Sequence, residues 1–93
     1  MSLPYATDRV KAFLDEVNRL RESEFPNHHS LAALERIRLL FDAKLKRLEK
    51  FDAKSDPGVV KRECALTLSA LFEYVPLLGF VLRSTNVRNA FEV

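Results

Sequence analysis

Residues 30–51 read SLAALERIRLLFDAKLKRLEKF, and this stretch decides the fold. Leu34, Ile37, Phe41, Leu45, Leu48 and Phe51 follow one another at steps of three or four residues, so a helix of 3.6 residues per turn gathers them on one face. Ser30 offers an N-cap oxygen at the start of the pattern, and the helix is expected to end near Ala53. Arg38 with Asp42, and Asp42 with Lys46, are oppositely charged and four apart, a spacing that contributes about 0.2–0.5 kcal/mol per pair on a solvated face.

Toward the N-terminus, Thr7-Asp8 places a capping oxygen and an acidic residue ahead of Val10, Phe13, Leu14, Val17 and Leu20. These predict a first helix from about Asp8 to Glu24, with Arg9, Lys11, Asp15, Glu16, Arg19 and Glu22 on its solvated side. Phe25-Pro26-Asn27-His28-His29 then reads as a loop, since proline disfavours helix in the residue before it and asparagine favours turns. Toward the C-terminus, Ser55-Asp56-Pro57 joins a cap to a proline at the first helical position, where a missing N–H costs nothing.

The third helix, Val59 to Val75, carries Val59, Val60, Cys64, Leu66, Leu68, Leu71, Phe72 and Val75 on more than one face, which predicts a central element contacted on several sides. Pro76 is expected to end or kink it. Leu77 to Leu82, with Gly79, then forms a short crossing helix, and Ser84-Thr85 caps a last segment from Val87 to Val93. The expected fold is all-α: a small antiparallel bundle of about four helices, three long and one or two short at the C-terminal end. Residues 1–93 form one domain. Because the chain stops at Phe91-Glu92-Val93 inside an amphipathic pattern with no capping signal, it reads as a piece of a longer protein.

Composition agrees with this class. Hydrophobic residues make up 47% and charged residues 30% of the 93, so the chain has enough apolar side chains to build a core and disorder is not expected. Two glycines, four prolines and no tryptophan leave little material for hairpin turns. A net charge of +2 is too small to imply nucleic acid by itself. The one cysteine, Cys64, has apolar neighbours and no partner for an internal disulfide, so a core role and a reducing, cytoplasmic compartment are the expectation. Met1 to Thr7 lack the basic start and apolar run of a signal peptide.

Few residues point to chemistry. Adjacent side chains such as His28 and His29 diverge, and no second Cys/His pair stands at ligand spacing, so no metal site is expected. Phosphate loops, dinucleotide fingerprints and nucleophile elbows are missing from the sequence, so neither a cofactor nor a catalytic residue is assigned. Glu73 is the only charge between Cys64 and Leu82 and must reach water or a basic partner. At about +3 kcal/mol for a carboxylate at mid-bilayer, it argues against reading that stretch as a membrane span, so a membrane is not the expected partner and a membrane-proximal helical segment stands as an alternative reading. Seven basic and three acidic residues between Arg36 and Lys54 point around the helix without a stripe or an exposed aromatic for stacking, so nucleic acid is not the expected partner.

Val87-Arg88-Asn89, near the end of an all-α chain, resembles the start of the arginine-asparagine motif of HEPN ribonuclease domains. The resemblance implies nucleic-acid chemistry with a histidine as base a few residues on. Val93 stands where the shortest spacing would put that histidine, so the motif is incomplete here.

A thin core, as small domains have, combined with a surplus of apolar residues between Leu66 and Leu82, predicts a helical module for protein interaction or oligomerisation. The expected partner is protein, with a homodimer as the simplest case, and the expected contact residues are Phe72, Leu77, Leu78, Phe80 and Phe91.

Overall fold

A computed structural model describes residues 2–23 and 28–92; the side chains of residues 28, 29 and 79–92 lie outside that description. Three helices follow one another: α1 (Leu3–Glu22), α2 (His28–Glu49) and α3 (Pro57–Glu92). No strand occurs among the described residues.

The helix α1 begins five residues earlier than Thr7-Asp8 suggests. The Tyr5 N–H donates to Ser2 Oγ at 3.3 Å, and Pro4 occupies the first turn, where its missing N–H and fixed φ do no harm. Thr7 is no cap: its hydroxyl donates to the carbonyl oxygens of Leu3 (3.1 Å) and Pro4 (3.0 Å), as threonine does inside helices. At the other end, Ser23 N–H and Oγ both donate to the Leu20 carbonyl.

The helix α2 starts at His28 rather than at Ser30, which corrects the expected loop at His28-His29. N–H groups of a first helical turn need no acceptor within the helix, so residues without strong helical preference are tolerated there. Phe25, Pro26 and Asn27 lie outside the described residues. After Glu49 the chain turns on its own hydrogen bonds. Lys54 N–H donates to Asp52 Oδ1 at 2.8 Å, Asp52 N–H to Ser55 Oγ at 2.9 Å and Ser55 N–H to the Asp52 carbonyl at 3.1 Å. Asp56 then caps α3, accepting from Gly58 N–H at 3.1 Å, with Pro57 at the first helical position as its sequence predicts.

Contacts between helices fix an antiparallel succession. Arg21 reaches Glu35 while Phe13 meets Phe41, and Arg47 approaches Glu63 while Phe41 meets Tyr74; in each pair of helices one number falls as the other rises. Phe41 is fully buried between the other two rings, edge-on to Phe13 at 4.8 Å and to Tyr74 at 5.3 Å. Every residue of the predicted α1 stripe is buried, and so are Leu34, Ile37, Phe41, Leu45 and Leu48 of α2. Each such side chain contributes about 1.5–3 kcal/mol by leaving water. Ala6 joins them because α1 starts at Leu3.

The third helix departs from expectation twice. Among the described residues there are three helices where about four were expected, because α3 runs through Pro76 as one element. Pro76 is exposed, so water can satisfy the carbonyl that loses its donor there. Nor is α3 central. It buries one stripe, Cys64, Thr67, Leu68, Leu71 and Leu78, and leaves Val59, Leu66, Phe72, Val75 and Leu77 outside. A bundle of three helices shows each member only two neighbours, so apolar residues beyond the arc facing them stay in water.

Candidate interaction surface

At about 100° per residue, Phe72 and Val75 lie about 60° apart on the flank of α3 that borders α1. Phe72 is 78% exposed and Val75 52%, whereas Leu71, one position earlier, is buried. On the α1 side stand Tyr5, Arg9 and Ala12, with Tyr5 54% exposed. Between these walls runs a groove of about 510 Å³, floored by Phe13, Leu68 and Leu71. Its lining is apolar except for the Tyr5 hydroxyl and the Arg9 guanidinium.

The residues predicted for contact separate in space. Phe72 faces water beside the groove, while Leu77, also exposed, is five positions on and about 140° around the helix, on the opposite flank with Leu66. Leu78 is only 6% exposed and belongs to the core. The side chains of Phe80 and Phe91 lie outside the described residues, as do those of Arg88 and Asn89. Tyr5, Arg9 and Ala12 are not among the contact residues expected from sequence, yet they form one wall of the groove. Ser2 followed by Pro4 is the signal that could have found them, since a helix started there carries Tyr5 into register with α3.

Charges divide into those that hold the fold and those that do not. Glu35 of α2 receives Arg21 of α1 at 2.7 Å and Arg38 of its own helix at 2.6 Å. The Arg38 hydrogen bond, helped by the Arg21 charge, holds the Glu35 carboxyl below its ordinary range. Glu16 is likewise held low by its hydrogen bond from Arg19. Arg38 thus turns to Glu35 rather than forming the expected pair with Asp42, while the other expected pair, Asp42 with Lys46, forms at 3.3 Å. Arg9 and Glu73 are both exposed, and neither has an ion-pair partner among the described residues.

Cys64 is buried against the core, and that burial, with the nearby Glu63 charge, pushes its thiol up, away from the reactive thiolate. Among the described residues no three His, Cys, Asp or Glu side chains come together as metal ligands would, and no helix is long and apolar enough to cross a membrane. The fold and surface define an all-helical bundle with an apolar flank left in water. No family model, curated protein or solved structure matches the chain.

Proposed function

We propose that the chain is a helical protein-interaction module whose contact surface is the Phe72–Val75 flank of α3 with the groove beside it. The exposure of Phe72 at 78% carries this reading. A phenylalanine that protrudes beside a half-exposed valine and tyrosine, over an apolar groove, leaves apolar surface in water that a partner would cover, and aromatic anchors of this kind dominate interface energetics. A protein partner also suits the scarcity of catalytic motifs in the sequence. The proposed setting is cytoplasmic, supported by a single cysteine that the core holds as a thiol.

Photo-cross-linking tests the reading. With a photoreactive side chain at position 72 in cells that naturally make the chain, a discrete adduct is expected, and none from position 36, an exposed arginine on α2. Adduct masses identify the partner. Equal labelling at both positions, or none at position 72, would remove the reading.

A further inference from the structure

We infer that the occupant of this surface is a second copy of the chain, related by a two-fold axis that runs parallel to α3; this rests on the contact role proposed above. The added observation is the arrangement of charge around Phe72. Arg9 lines the same groove as Phe72, on the α1 side. Phe13 and Tyr74 both meet Phe41, and α1 and α3 run the same way, so Arg9, four residues before Phe13, stands about 3 Å along the axis from Phe72, two before Tyr74. Glu73 follows Phe72 by one position, about 1.5 Å along the axis and about 100° around it, on the side away from Val75 and α1. Opposite charges therefore flank one protruding aromatic within about 5 Å of each other in height, a rise that an arginine side chain spans. Both are exposed, and neither has an ion-pair partner among the described residues.

A half-turn about an axis lying in the contact plane and parallel to α3 exchanges left with right and leaves height unchanged. It brings Arg9 of each copy over Glu73 of the other, twice, with the two Phe72 rings near the axis and each facing the other copy's groove. A half-turn about the perpendicular in-plane axis would instead set Arg9 beside Arg9 and Glu73 beside Glu73. Charge thus selects the parallel arrangement, as complementary charges fix register at interfaces generally. A different partner would have to bring both signs at this spacing, whereas the chain already carries them.

Sedimentation equilibrium at roughly 10–300 µM, the range of weak dimers, tests the inference. Wild type is expected to dimerise, and more weakly at high salt. Arg9→Glu and Glu73→Arg each set like charges across both pairs, so each alone is expected to weaken the dimer about tenfold or more. An equimolar mixture of the two variants restores opposite charges at both pairs and is expected to dimerise as wild type does, as is the double variant. Both positions are exposed, and circular dichroism checks that the helices persist. A monomeric wild type, single variants that associate normally, or a mixture that stays monomeric would overturn the inference. A monomeric wild type whose position 72 still cross-links to a different protein leaves the interaction reading standing, whereas no adduct removes both.

Discussion

Phe41 touches a ring from each of the other helices, so a single side chain joins all three elements. Such residues were legible because α1 and α2 alternate apolar and charged positions at helical spacing, and only one rotation of each helix hides its stripe. Leu45 and Lys46 show how sharply neighbours then differ: Leu45 is 9% exposed, and Lys46 projects outward to Asp42. Leu45→Asp is expected to unfold the chain, because an unpaired buried carboxylate exceeds the roughly 5 kcal/mol available to a small domain. Lys46→Asp loses one exposed ion pair and should cost under about 1 kcal/mol. Thermal melts distinguish them, and matching midpoints would contradict the assigned facing. Phe72 was less legible than Leu45. Apolar residues surround α3, and periodicity alone does not say which of them α1 and α2 leave uncovered.

At the scale of the element, boundaries followed cap chemistry wherever a cap and a proline came together. Asp56-Pro57 was legible at the start of α3 for that reason, while Ser2 and Pro4 were passed over at the start of α1 in favour of Thr7-Asp8. Asp56→Ala removes the acceptor of the Gly58 N–H and a negative charge at the positive end of a 36-residue helix. A loss of about 1 kcal/mol in urea unfolding is expected, and an unchanged midpoint would mean that the carboxylate is idle. The run of α3 through Pro76 was not legible, because whether proline breaks a helix depends on what else satisfies the carbonyl four residues back, here that of Phe72. That oxygen belongs to the residue that protrudes most from the helix.

Across the whole molecule, Glu35 ties α1 to α2 near the end where the two meet, through Arg21 and Arg38. The folded state holds its carboxyl below the ordinary range, so its stabilisation is present above the unfolded value of about 4.3 and is lost as pH falls through that value toward the folded one. Glu35→Gln should therefore lower the melting temperature at neutral pH and flatten its decline in acid, the two proteins converging at the lowest pH. Melting curves that stay parallel down the acid limb would show that the triad carries none of the pH dependence. The molecule measures 55 × 18 × 16 Å, and α3 alone, at about 1.5 Å per residue, accounts for the long dimension. How the groove closes over Tyr5 and Val75 was not legible, since it follows from the relative placement of helices distant in sequence.

The connection between α2 and α3 also bears on time. Lys50 to Asp56 is seven residues long and supplies its own hydrogen bonds, so the ends of the two helices meet with little loop entropy to overcome. With mainly local contacts and no strand pairing among the described residues, the chain belongs with helical bundles that reach the native state in roughly microseconds to milliseconds. The flank bearing Phe72 is then assembled almost as soon as α3 docks, which leaves little interval in which its apolar surface is exposed on a partly ordered chain.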